Sequence, residues 1–356
     1  MQNLEIMNNS IEEKYMQRCL ELARQGMSGA APNPMVGAVI VAEGRIIGEG
    51  YHAKCGEAHA EVNAVNSVRP ADRPLLKKAT IYVSLEPCAH YGKTPPCADL
   101  IIREQIPRIV VGCQDSFDKV DGKGIQKLRE AGREVIVGVL EQECRRLNRA
   151  FFTVQEKHRP FITLKWAQSS DGYIDRVRTE GAPVRLSTER SLIEVHKLRA
   201  EHTAIMVGRR TALLDNPTLN VRHWTGRQPV RVVLDRLLSL PPELHLFDGS
   251  QRTLVFTAQQ RESLPNVEYR TIDFGHDLLP QVLGVLQEEQ LQSLLVEGGR
   301  ELLQSFIDAN MWDEAHVEYS PISIGVGVPA PLISLKKPYK EVLKWGQKYH
   351  IIYNFV

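Results

Sequence analysis

"EPCAHYGKTPPC", residues 86–97, carries two cysteines with eight residues between them, each directly after a proline, in a segment dense in turn formers. Upstream, "AHAEVNAV" (58–65) puts His59 at the start of a predicted helix, with Glu61 two residues on. One imidazole and two thiolates make a donor set suited to Zn²⁺. Three protein ligands leave one tetrahedral position open for water, whose pKa the metal lowers to about 7. His59, Cys88 and Cys97 are therefore the candidate ligands, and Glu61 is the candidate proton carrier beside them.

H-x-E followed by P-C-x-x-C is the zinc deaminase pattern, with the glutamate as general acid and base. Here the second cysteine stands further on, so the two thiols meet only if the loop folds back; Gly92, Pro95 and Pro96 permit that. The same cysteines are also compatible with a structural zinc site, or with none.

The chain has 356 residues, more than one core usually serves, so two domains are expected. Hydrophobic content of 43% and charged content of 24% describe a soluble globular protein. Net charge is +1, with 20 basic against 19 acidic residues up to 150 and 24 against 24 beyond. Neither half is a basic block, which argues against a nucleic-acid partner. The N-terminal "MQNLEIMNNSIEEKYM" lacks a signal-peptide pattern, and no run of 18 apolar residues predicts a membrane span. A cytoplasmic location is the expectation, and there paired cysteines more often bind metal or react than form disulfides. Cys19, Cys55, Cys113 and Cys144 stand singly and read as small buried hydrophobes.

Ser10 with Glu13 reads as a capping box opening a helix through 15–25. "PNPMVGAVIVAEGRIIGEGYH" (32–52) reads as two strands turning at Glu43-Gly44. Helix 58–68, strand 79–86, helix 97–105, strand 108–115, helix 124–132 and strand 133–140 follow. This alternation predicts an α/β sandwich. Residues 143–160 read as the way out, with Pro160 as a boundary. A second α/β series has strands at 161–168, 203–208, 230–235, 253–257, 291–299 and 314–320, and helices at 188–202 and 300–310. Gly298-Gly299 lies between strand and helix, where backbone N–H groups form an anion site. The pattern is not G-x-G-x-x-G, so a Rossmann fold is not supported.

"PNPMVGAVIV" (32–41), "GEGYHAKCGEAHAEVNAV" (48–65) and "SLEPCAHYGKTPPCADLII" (84–102) closely resemble the N-terminal domain of the bifunctional riboflavin biosynthesis proteins of the RibD family. The long inter-cysteine segment is a mark of that family. The resemblance implies a cytidine-deaminase-like α/β/α sandwich acting on a pyrimidine ribosyl phosphate, with Asn33, His52 and Lys93 as candidate substrate contacts. It continues through "FITLKWAQSSDGYI" (161–174), "HKLRAEHTAIMVGRRTALLDNPTLNVR" (196–222) and "LLVEGGRELLQSF" (294–306). This half is implied to be a dihydrofolate-reductase-like α/β domain that uses NADPH to reduce ribosyl to ribityl.

Carried over residue by residue, Arg199, Leu219, Arg222 and Glu297 correspond to substrate contacts, and Lys165 joins them as a candidate. Ala167, Thr211, Asp215, Gly299, Arg300, Glu301, Leu302, Leu303, Gln304 and Ser305 correspond to NADPH contacts. Arg199 and Arg222 offer donor forks suited to a phosphate. Arg185 stands where the family commonly has Trp, Pro183 where it has a small polar residue, and Arg236 where it has Ser. Arg236 or Arg209-Arg210 is a candidate partner for the NADPH 2′-phosphate.

The expectation is thus a zinc-dependent pyrimidine deaminase over 1–150 and an NADPH-dependent reductase over 159–356. The deaminase converts 2,5-diamino-6-ribosylamino-4(3H)-pyrimidinone 5′-phosphate, and the reductase then gives 5-amino-6-ribitylamino-uracil 5′-phosphate. The resemblance also suggests a homo-oligomer. Three other readings stay open: a tRNA-type deaminase with an accessory domain, a non-enzymatic zinc module, and a chain of this architecture with only the deaminase half active.

Overall fold

The computed structural model describes residues 2–91, 95–116, 121–334, 336–344 and 347–354, which form two compact units, Met1–His158 and Arg159–Val356.

The first unit opens with helix α1 (Gln2–Arg24). Ser10 therefore lies inside a helix rather than capping one: residues 2–9 contain no Gly or Pro to stop it. Strands β1 (Gly37–Ala42) and β2 (Arg45–Tyr51) form the expected hairpin, with Glu43 and Gly44 both at positive φ, as a tight two-residue turn requires. Helix α2 (Ala60–Ser67), strand β3 (Thr80–Leu85), helix α3 (Cys97–Arg103), strand β4 (Arg108–Cys113), helix α4 (Lys123–Glu130) and strand β5 (Glu134–Val137) follow. The sheet order is β2-β1-β3-β4-β5, antiparallel across β1 and parallel from β3 to β5.

Both faces of this sheet are covered. On one, Ala60, Ala64, Ala98, Ile101 and Leu128 pack on Ile40, Ile81 and Val111. On the other, Met16 and Leu20 of α1 pack on Val39, Tyr82 and Val110. The segment after β5, expected to be a connection, instead forms α5 (Glu141–Leu147) and α6 (Arg149–Lys157). Their Cys144, Phe151 and Phe152 join this second core.

The second unit contains β6 (Phe161–Gln168), β7 (Tyr173–Asp175), α7 (Glu189–Glu201), β8 (Ala204–Val207), α8 (Arg209–Asp215), β9 (Val230–Leu234), β10 (Thr253–Thr257) and β11 (Val267–Thr271). It continues with α9 (Leu278–Glu288), β12 (Ser293–Glu297), α10 (Arg300–Asp308), β13 (Glu314–Tyr319), β14 (Val328–Pro329), β15 (Tyr339–Lys344) and β16 (Gln347–Tyr353). The large sheet runs β11-β10-β9-β8-β12-β6-β13-β16-β15, parallel as far as β13 and antiparallel beyond. One face carries Leu283, Leu286, Leu303 and Phe306 from α9 and α10. The other carries Leu198 of α7 together with Leu219, Leu240 and Leu246. Parallel strands buried on both faces read as continuous apolar runs, which is why "TAIMV" and "SLLV" stand out in the sequence.

Candidate functional site

His59 immediately precedes α2, Cys97 opens α3, and Cys88 lies in the loop after β3. The loop does fold back. His59 Nδ1 stands 3.6 Å from Cys88 Sγ and 3.3 Å from Cys97 Sγ, and all three ligand atoms lie within 4.8 Å of one another. Zinc bonds of about 2.0–2.3 Å span a tetrahedron with edges of roughly 3.5 Å, so the donor set fits zinc in both chemistry and spacing. Hydrogen bonding from Cys97, with His59 alongside, holds the Cys88 thiol well below the usual thiol range, while the same bond and burial push Cys97 up. Glu61, in the first turn of α2, is 3% exposed. Burial, and then the charge of Cys88, raises its carboxyl to about 7.

Two features unremarked in the sequence hold this loop. The buried Glu86 carboxylate accepts hydrogen bonds from the backbone N–H groups of Asp115, Gly122, Gly124 and Ile125 at 2.8–3.2 Å, tying the end of β3 to the start of α4. Gly124 lies so close to Pro87 that a β-carbon would overlap the Pro87 carbonyl oxygen. The Cys97 N–H reaches Cys88 Sγ at 3.3 Å, and the Ala98 N–H donates to the Cys88 carbonyl at 3.1 Å.

Asn33 and His52 join the same neighbourhood. Asn33 Nδ2 is 3.1 Å from His52 Nε2, and His52 Nδ1 is 3.1 Å from the Ala58 carbonyl. A neutral ring satisfies both, donating from Nδ1 and accepting at Nε2; burial lowers the His52 pKa accordingly. The His52 and His59 rings meet edge-on at 5.4 Å. Lys93 lies outside the described residues.

In the second unit the candidate substrate residues converge where β6 and β12 end. Lys165 is in register with Glu297 across that parallel pair. Arg199 of α7 forks onto Glu297, Nε to Oε1 at 3.0 Å and Nη2 to Oε2 at 2.7 Å, and its Nη1 donates to the Asn220 carbonyl at 3.1 Å. Burial pushes the Glu297 carboxyl up, but Arg199 more than offsets it, with Lys165 and His196 adding to the fall, so the group lies below its ordinary value. Arg222 is exposed and bonds Thr218 Oγ1 and Asn220 Oδ1, both neutral acceptors. Leu219 is buried at positive φ, so only its backbone is available to a ligand.

The nucleotide candidates surround the turn from β12 into α10. Gly298 and Gly299 both have positive φ, and a β-carbon on either would stand 3.1–3.2 Å from the Thr211 side chain. The turn is thus a cradle open to a closely approaching phosphate, and Arg300 Nε is buried beside it without a hydrogen-bond partner among the described residues. Those features fit a dinucleotide phosphate. Leu302 and Leu303 turn into the core and Ser305 Oγ bonds the Leu302 carbonyl, so the helix offers its backbone, the half-buried Arg300 and the exposed Glu301. Gln304 bonds Asp308 and Leu332. Asp215 is held by Arg178, which also binds Asp175. Ala167, near the end of β6, is in register with Glu318. Arg185 pairs loosely with Glu189, Arg209 bonds Ser239, Arg210 donates to the Arg178 carbonyl, and Arg236 lies over the Phe274 ring.

Residues 9–113 match the cytidine and deoxycytidylate deaminase zinc-binding region, and residues 160–349 match the RibD C-terminal domain. The riboflavin biosynthesis protein RibD of Aquifex aeolicus is 40% identical over 354 residues, covering 96% of this chain and 98% of that one. Its Bacillus amyloliquefaciens counterpart is 40% identical over 334 residues, covering 91% and 88%. Among solved structures, the diaminohydroxyphosphoribosylaminopyrimidine deaminase/5-amino-6-(5-phosphoribosylamino)uracil reductase of Thermotoga maritima superposes with a TM-score of 0.88 at 38% identity, covering 97% of this chain and 99% of that one. RibD of Acinetobacter baumannii gives 0.85 at 31% identity, with the same coverage. The chain therefore belongs to the RibD family of riboflavin biosynthesis enzymes, with a zinc-binding cytidine-deaminase-like domain followed by a dihydrofolate-reductase-like domain that uses NADPH.

Proposed function

We propose that residues 1–150 deaminate 2,5-diamino-6-ribosylamino-4(3H)-pyrimidinone 5′-phosphate and that residues 159–356 reduce the product to 5-amino-6-ribitylamino-uracil 5′-phosphate. The observation that carries the first step is the convergence of His59, Cys88 and Cys97 beside the buried Glu61. When bound, zinc makes a water acidic near neutral pH, and NADPH brings the hydride. Glu61 takes a proton from the attacking water and delivers it to the ring nitrogen; it then takes the proton of the newly added hydroxyl and passes it to the amino group, which leaves as ammonia as the carbonyl forms. Asn33, His52 and Lys93 orient the pyrimidine.

In the second step the ribosyl ring opens: the bond from C1′ to the ring oxygen breaks and that oxygen takes up the proton of the attached nitrogen. Hydride at C1′ of the opened ribose and a proton at that nitrogen then give the ribityl chain. Arg199, Arg222 and Lys165 hold the substrate, with Glu297 fixing the Arg199 fork. Thr211, Asp215, Ala167 and the backbone of Gly299–Ser305 hold the nucleotide. A cytoplasmic location and a homo-oligomeric assembly go with this reading; no helix among the described residues is long and apolar enough to cross a membrane.

The test supplies purified protein with NADPH and only the undeaminated substrate. NADPH consumption is expected, lost in Glu61→Gln and restored by adding the deaminated intermediate. Ammonia release without NADPH consumption would leave only the first half active.

A further inference from the structure

α7 holds the loop that carries Leu219 and Arg222 at two points. Arg199 donates to the Asn220 carbonyl, and one turn earlier His196 Nδ1 accepts the Arg222 backbone N–H at 3.2 Å. His196 is 1% exposed, and its ring meets His223 edge-on at 4.7 Å. An accepting Nδ1 requires the neutral imidazole with its proton on Nε2. Burial, followed by the positive charges of Arg199 and Arg222, holds the group down at about 4, which keeps it in that form. The loop has a partner for its other half as well, since Gln228 spans Val221 by accepting its N–H and donating to its carbonyl.

This arrangement matters because Arg222 itself is only lightly held. Its guanidinium bonds the neutral oxygens of Thr218 and Asn220, within its own loop. The side chain starts from a backbone that His196 ties to α7, so that tie helps set where the guanidinium can reach.

We propose that His196 is a positioning residue of the reductase, clamping the Arg222 amide so that the Arg222 guanidinium faces the substrate phosphate. The inference rests on the reading of Arg222 as a substrate contact. It acts through the acceptor at the δ position alone, and that gives a clean pair of substitutions. Asn presents an oxygen where Nδ1 stands; Leu has the same branching and no acceptor.

The experiment measures reductase KM and kcat with the deaminated ribosyl phosphate, with deaminase activity of the same preparation as the folding control. His196→Leu is expected to raise KM about tenfold, the loss of roughly one hydrogen bond, with kcat within about twofold. His196→Asn is expected to stay within about threefold of the parent KM. An unchanged KM in His196→Leu, or an Asn variant as impaired as the Leu variant, overturns the assignment. Arg222→Ala separates the two readings. A raised KM there beside an unaltered one in His196→Leu refutes the His196 role alone; an unchanged KM in Arg222→Ala removes Arg222 from the site and the His196 role with it.

Discussion

Gly124, at the head of α4, lies against the carbonyl oxygen of Pro87, the residue before Cys88. No side chain fits there, so the position of a candidate zinc ligand depends on a glycine thirty-six residues further along the chain. Gly124→Ala must push the Pro87–Cys88 segment away. Zinc content and deaminase activity are expected to fall together, activity at least about tenfold, at a stability cost of roughly 1–3 kcal/mol. Metal analysis beside both activities checks this; full zinc occupancy with full deamination would show that the loop yields elsewhere.

Glu61 is assigned proton transfer and no metal bond. Glu61→Gln keeps the shape and removes the base, so deaminase kcat is expected to drop about 10²–10⁴-fold. Bound zinc should remain at one per chain. A variant that loses zinc instead would make Glu61 a ligand or a structural support of one.

Arg199 and Glu297 form a pair in which each side chain is only 12% exposed. Removing one partner strands the other, so Arg199→Met is expected to cost about 3–5 kcal/mol. The double variant Arg199→Met/Glu297→Leu should regain most of that stability and still lack reductase activity. Urea unfolding of the three proteins tells the cases apart: equal losses in single and double variants would mean that packing, not charge, is the cause.

Asp248 gives the second unit an acid-sensitive contact. Burial is the largest single influence and pushes its carboxyl up, but Arg231 at 2.9 Å and Ser250 together outweigh it and bring the group down to about 2, from 3.8. A folded-state pKa below the unfolded one stabilises fully above about pH 4, and that contribution disappears as pH falls toward 2. Asp248 is a third exposed, so solvent screening limits it to about 1 kcal/mol. Because roughly half of that contribution is still present at pH 3, Asp248→Asn should narrow the difference between urea stabilities at pH 6 and pH 3 by about 0.5 kcal/mol. An unaltered difference would place the acid sensitivity in other carboxylates.

Much of the chemistry was legible because chemistry needs particular side chains in particular order. His59, Glu61, Cys88 and Cys97 identify a zinc deaminase by type and sequence, and folding only had to bring them together. The hairpin at Glu43-Gly44 and the apolar parallel strands were legible for a related reason, since local backbone and burial rules act within a few residues. Some elements followed less visible rules. Cys144, Phe151 and Phe152 have helical spacing, yet a break at Asn148 divides them into two short helices. The hairpin β15–β16 is too polar along β15 to read as a strand, because it lies at the sheet edge.

What the sequence by itself determined was the two-domain α/β plan, the candidate zinc ligands and the family. Tertiary structure alone decided the supports: Glu86 gathering four amides, Gly124 giving way to Pro87, Arg199 forked onto Glu297, and His196 holding the amide of Arg222. Those partners stand 26 to 98 residues apart for the reductase pairs. A hydrogen bond between distant segments leaves no periodicity and demands no motif, so only the folded chain, by bringing donor and acceptor within about 3 Å, makes it exist.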